Sequence, residues 1–170
     1  MITKKINGKE PVYGENCFFT ETSVIVGDVV MGNNCTVWYH AVIRGDVNSI
    51  IIGDFTNVQD GAVIHCTYKK AATKIGNKVS IGHNAIVHGC TIEDEVLIGM
   101  GSIVMDGAVI GKGSVIAAGS VVLANTIVEQ NSVYAGIPAK KVKDTTNMHR
   151  EVIEKTANNY PMYAEWFKDK

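Results

Sequence analysis

Leucine is almost missing from this chain: Leu97 and Leu123 are the only two among 170 residues. Leucine is normally one of the commonest residues and a good helix former, so a helical bundle, a coiled coil and a helical solenoid are excluded at the first count. Proline is sparse too, with three residues. No apolar run approaches the roughly 18 residues of a membrane-spanning helix, so no membrane association is expected. The stretch Met1-Ile2-Thr3-Lys4-Lys5-Ile6 lacks the apolar core of a secretory leader. Neither sign of charge dominates, with 16 Lys and Arg against 17 Asp and Glu and a net charge of -1. A nucleic-acid footprint and an acidic tail are therefore not expected. Cys17, Cys35, Cys66 and Cys90 form no CxxC pair. In a leaderless chain they read as reduced thiols, and a cytoplasmic location follows as an expectation. Glycine is absent after Gly136, so the last 34 residues differ in character from the rest.

What is plentiful is β-branched: 22 Val and 19 Ile, about 24% of the chain. A hydrophobic content of 46% excludes disorder. These residues recur every six positions. One phase runs Phe19, Ile25, Met31, Val37, Ile43. Others run Ile52, Val58, Ile64 and Ile75, Ile81, Val87, and the longest runs from Ile92 through Ile98, Val104, Ile110, Ile116, Val122 and Val128 to Tyr134. Sixteen of these 19 leads are Val or Ile. Four residues after most leads sits a small or slim residue such as Ser23, Cys35, Ala62, Ala85 or Ser120. Residues that tolerate positive φ, including Gly27, Asn34, Asp54, Gly61, Asn77 and Gly101, fall between the leads and mark corners. A six-residue unit holds one short strand and a corner, and can bury its lead only by stacking coil on coil.

The register breaks three times. Ile43 to Ile52 is nine residues, Ile64 to Ile75 is eleven, and Val87 to Ile92 is five. The longest insertion makes a loop of Cys66 to Lys74 directly after a histidine. Beyond Ala135-Gly136-Ile137-Pro138-Ala139-Lys140 a helix is expected from about Asp144 as N-cap, with Met148, Val152, Ile153 and Tyr160 as its apolar stripe and a break or kink at Pro161. The chain thus divides into a repeat domain, residues 1–142, and a helical segment, residues 143–170, packed on it.

Of five histidines, His40 and His149 read as surface or packing residues. His65 follows lead Ile64 and His88 follows lead Val87, three units later. The six-residue period resembles the hexapeptide-repeat parallel β-helices, which implies three units per coil, and on that count the two histidines occupy one corner of successive coils, about 4.8 Å apart, and can share a metal. His83 lies two residues after lead Ile81, near another corner, and should not reach that metal within one chain. If all three are ligands, the third comes from a neighbouring subunit, which calls for a homotrimer with metal at its interfaces. The column of His65 and His88 also holds Arg44, with Asp46 two residues on, while Asp60 shares a column with His83 and has Gln59 beside it. Across such an interface Arg44 would bridge Asp46 and Asp60. Cys66 reads as a buried filler rather than a ligand, Tyr68 as loop surface, and Lys69, Lys70 and Lys74 as a solvated face.

Arg44-Gly45-Asp46, Asn57-Val58-Gln59-Asp60-Gly61, His65, and His83 through His88-Gly89-Cys90 together resemble the γ-class carbonic anhydrases, over roughly residues 10 to 142. The resemblance implies a left-handed parallel β-helix of hexapeptide repeats, an all-β solenoid with three units per triangular coil and so about six coils here, followed by a C-terminal α-helix. It also implies a homotrimer with zinc, or iron or cobalt, held by His65, His83 and His88. Arg44, Asp46 and Asp60 match interface ion-pair residues, and Gln59 matches a residue beside the metal-bound water. The implied activity is hydration of carbon dioxide to bicarbonate by metal-bound hydroxide. The loop after His65 carries no acid, where the best-known member has glutamates for proton transfer. Two alternatives stay open: an acyltransferase or thioesterase acting on a coenzyme A conjugate, and a non-catalytic trimeric module holding metal structurally.

Overall fold

The computed structural model describes residues 1–168. Its strands stack into a parallel β-helix with three sides, and the six-residue leads form one column on each. On the first side Ile25, Ile43, Ile64, Val87, Val104 and Val122 are successive partners. On the second the partners are Met31, Ile52, Ile75, Ile92, Ile110 and Val128. On the third they run from Phe19 through Val37, Val58, Ile81, Ile98 and Ile116 to Tyr134. Eighteen of the nineteen leads are buried, and Phe19 is partly so. Burying a Val or Ile side chain is worth roughly 1.5–3 kcal/mol, so these columns are the source of cohesion. The small residues four after most leads fill the narrow corners; Ser23, Cys35, Ala62, Ala85 and Ser120 are all buried.

The stack has seven coils, one more than the six-residue period counts. Ile2–Lys4 and Val12–Tyr13 pair beneath Val24–Met31 and supply two sides of an extra first coil. Thr3 and Tyr13 hold its lead positions, opposite Ile25 and Met31. Neither is Val or Ile, and a small bridged turn at Ile6 and Lys9 stretches the spacing between them, so the period does not register this coil.

The corner between the second and third sides shows how turns are closed. Side-chain oxygens of Asn33, Asp54, Asn77 and Asp94 accept the backbone N–H of Glu15, Asn33, Asp54 and Asn77, each one coil earlier, at 2.7–2.8 Å. The left-handed position lies one residue further on, at Asn34, Phe55, Lys78, Glu95, Gly113 and Asn131. Asp54 and Asn77 are therefore acceptors rather than positive-φ residues, and Phe55, Lys78 and Glu95 adopt that conformation without being Gly or Asn.

The chain leaves the helix of strands differently from the expectation. Ser132–Gly136 turns back into an antiparallel strand, Ala139–Asp144, so Asp144 is still extended. The α-helix is Asn147–Glu165 with Thr146 at its N-cap. His149, in its first turn, accepts the Thr146 backbone N–H on Nδ1 at 3.0 Å. The helix runs on through Pro161, because buried Ala164 and the Tyr160–Tyr163 ring contact at 5.6 Å hold its last turn. It packs on the third side through Ile153 and Ala157 and through Tyr160 against Trp38, ring centroids 5.4 Å apart, while Met148 and Val152 face outward.

Candidate metal centre

The corner between the first and second sides carries the chemistry. The strands Val63–His65 and Ile86–His88 pair in register, with His65 directly opposite His88. Arg44 lies one residue past the Ile43–Ile64 pairing, on the coil below. A chain of polar contacts climbs this corner. Arg44 donates to Asp46 Oδ2 at 2.5 Å. Asp46 Oδ1 is 3.0 Å from His65 Nε2. His65 Nδ1 is 3.0 Å from His88 Nε2. His88 Nδ1 is 2.5 Å from Asp106 Oδ1, and Asp106 Oδ2 accepts the Thr67 hydroxyl.

The protonation logic of this chain is demanding. A carboxylate accepts, so Asp46 selects the Nε2–H form of His65 and Asp106 the Nδ1–H form of His88. The two remaining ring nitrogens then present lone pairs to each other at 3.0 Å. Neutral imidazoles so fixed repel unless a cation lies between them. A carboxylate behind each imidazole is also how metal-ligating histidines are commonly oriented. The donor set thus fits a divalent metal. Burial raises both carboxyl pKa values, but hydrogen bonds from His65 and Arg44 to Asp46, and from Thr67 and His88 to Asp106, outweigh it and leave both below the ordinary range.

His83 belongs to the corner between the third and first sides, away from His65 and His88. Its Nδ1 is 3.0 Å from Asp60 Oδ2, so it too has a carboxylate behind it and Nε2 left over. Among the described residues no three His, Cys, Asp or Glu side chains of one chain gather as a metal site. Beside His83, an open groove of about 380 Å³ runs between the helix and the third side, lined by Gln59, Gly82, Leu97, Met100 and Tyr160. Burial, with the Asp60 charge behind it, pushes the Tyr160 hydroxyl up to about 12. Gln59 is buried and donates its amide to Asn57 Oδ1 at 3.0 Å, and Asn57 donates in turn to Ser80. On the outer face of the first side, Val24, Val42, Val63, Ile86, Ile103 and Val121 are stacked partners, forming a continuous partly exposed apolar ladder.

Against known proteins, the chain is 51% identical over 151 residues to "Probable carbonic anhydrase" of Methanocaldococcus jannaschii, covering 89% of this chain and 94% of that one. The chain belongs to the γ-class carbonic anhydrase family. It is also 37% identical to "Gamma carbonic anhydrase 1, mitochondrial" of Arabidopsis thaliana, covering 92% of this chain but 59% of the plant protein. Residues 89–124 match the family described as bacterial transferase hexapeptide (six repeats). A solved structure of a hexapeptide transferase family protein from Anaplasma phagocytophilum superposes with a TM-score of 0.92 at 38% identity, covering 96% of both chains. The N-acyltransferase AntD of Bacillus cereus, at 16% identity and a TM-score of 0.72, shares the fold alone.

Seen as a γ-class chain, the structure brings together Arg44, Asp46, His65 and His88, and separately Gln59, Asp60 and His83. Within one chain Arg44 pairs with Asp46, and Asp60 is held by His83. Cys66 is buried with its thiol on the Asn48 carbonyl, Tyr68 is exposed, and Lys69, Lys70 and Lys74 are solvated, as expected. The sequence reading missed Asp106 and Thr67. A signal for Asp106 was available: it stands two residues after lead Val104, one coil beyond Gly89, the neighbour of His88. No helix among the described residues is long and apolar enough to cross a membrane.

Proposed function

We propose that this protein is a carbonic anhydrase, interconverting carbon dioxide and bicarbonate at a divalent metal shared between subunits of a homotrimer. The observation that carries this reading is the pair of facing imidazole nitrogens of His65 and His88, each aimed at the other by a carboxylate on the opposite ring nitrogen. His83 of a neighbouring copy is the third ligand, through the nitrogen that Asp60 leaves free. When bound, zinc (or iron or cobalt) supplies the Lewis acidity that brings the pKa of water to about 7. Three neutral imidazoles keep the full positive charge at the site, and the Asp partners keep their tautomers fixed. Gln59 orients the oxygen atoms of bicarbonate from the groove beside His83. Arg44, anchored on Asp46, reaches across the interface to Asp60 of the neighbour. The outward ladder from Val24 to Val121 supports this assembly, because its side chains stay partly exposed among the described residues. Four free cysteines fit a cytoplasmic setting.

The loop 66–74 offers no carboxylate to carry the proton away, so proton release falls to external buffer and limits turnover. Oxygen-isotope exchange between bicarbonate and water, on zinc- and iron-loaded protein beside His88→Ala, tests the proposal. Exchange that rises with buffer concentration and vanishes in the variant is expected. Absence of exchange in both metal forms would leave a metal-holding assembly module instead. Wild-type protein that takes up no metal would remove the site itself.

A further inference from the structure

We infer that Asp106 is a positioning residue that fixes His88 as a metal ligand and is itself anchored by Thr67 from the inserted loop; this rests on the reading of His65 and His88 as ligands. Asp106 Oδ1 sits 2.5 Å from His88 Nδ1, and Oδ2 accepts the Thr67 hydroxyl. Both oxygens are thus committed to side chains. The stacked Asn33, Asp54, Asn77 and Asp94 differ: each accepts a backbone N–H of the coil below on Oδ1. Asp106 accepts no backbone N–H among the described residues, so closing a turn does not account for it.

Gly89 makes the arrangement possible. A Cβ there would lie 2.5 Å from Asp106 Oδ1, and the residue has φ +54°. The missing side chain lets the carboxylate reach back one coil, across Gly89, to the imidazole. The second anchor comes from elsewhere in the sequence. Thr67 opens the loop inserted after His65, and that loop is closed by a backbone bridge between Thr67 and Ala71. The insertion that begins beside one ligand therefore secures the other. Asp106 touches neither the facing nitrogens nor the groove at Gln59; it acts through His88, by holding Nδ1–H and leaving the Nε2 lone pair toward His65.

Zinc dissociation constants by chelator competition, and the His88 tautomer by nitrogen-15 imidazole NMR of the zinc-loaded full-length protein, test the role. Asp106→Ala should raise the zinc dissociation constant about 10–100-fold, the usual cost of losing such a partner, and release His88 from the Nδ1–H form. Asp106→Asn keeps an acceptor oxygen and should restore the tautomer with most of the affinity. Thr67→Val should move both readouts in the same direction by less. Should Asp106→Ala fail to fold, Thr67→Val decides: an unchanged dissociation constant and tautomer overturn the inference. If Asp106→Ala binds zinc like wild type while His88→Ala does not, Asp106 has no positioning role and the metal reading stands. If wild type binds no zinc, or His88→Ala binds as tightly as wild type, both fall together.

Discussion

Two corners of this triangular stack carry Asp and Asn in columns and use them in opposite ways. Between the second and third sides, Asn33, Asp54, Asn77 and Asp94 turn to the backbone of the coil beneath and close its corner. Between the first and second sides, Asp46 and Asp106 turn to imidazoles and leave the backbone to other partners. The difference teaches that residue type and repeat position do not separate a structural acid from a functional one. What separates them is the neighbour one coil away: a backbone N–H at one corner, a histidine ring at the other.

The largest effect should come from breaking the functional corner. Asp46→Ala is expected to weaken zinc binding about 10–100-fold, by freeing His65 as well as Arg44, with little change in melting temperature. The mirror experiment is Asp54→Ala. It gives the solvent-accessible Asn33 backbone N–H back to water and should cost about 0.5–1.5 kcal/mol in urea unfolding, with zinc content unchanged. If Asp54→Ala lost metal, or Asp46→Ala lost mainly stability, the contrast between the corners would collapse. A smaller effect is expected at the left-handed position of the structural corner. Glu95 has φ +58°, and Glu95→Gly should leave thermal stability equal or raise it by less than about 1 kcal/mol.

The smallest effect is on acid stability of the metal-free protein. Asp46 and Asp106 are held below the ordinary carboxylate range. A depressed folded pKa gives stability that is present above the unfolded value, about 3.9, and lost as pH falls through the folded one. Acid unfolding should therefore steepen only below about pH 4, and Asp106→Asn should flatten that limb.

The fold was legible because it rests on a strict period. The partnering of Ile25 with Ile43, Ile64 and Val87 follows from counting sixes, and so does the stacking of His65 on His88. Reading stopped where the period is silent. Thr3 and Tyr13 fill lead positions with polar or aromatic residues, and the first coil went uncounted. Thr146 caps the helix instead of Asp144, because Ala139–Asp144 has cross-strand partners that no local propensity announces. At the site, His65, His83 and His88 stand out as residue types, whereas Asp106 is one acid among many. Counting sixes sets it over Gly89, but its role depends on which way a carboxylate turns, and the order of residues does not record that.

The antiparallel return of Ala139–Asp144 has a consequence for the molecule as a polymerisable object. A parallel stack of identical rungs has no intrinsic end, since every exposed rung is a template for the next. On the third side the last rung, Ser132–Gly136, is taken by a strand running the wrong way for another coil. That strand reads Ala-Lys-Lys-Val-Lys-Asp, so the surface it offers in turn is crowded with ammonium groups. On this side a sequence built like a fibre ends after seven layers by reversing its own direction.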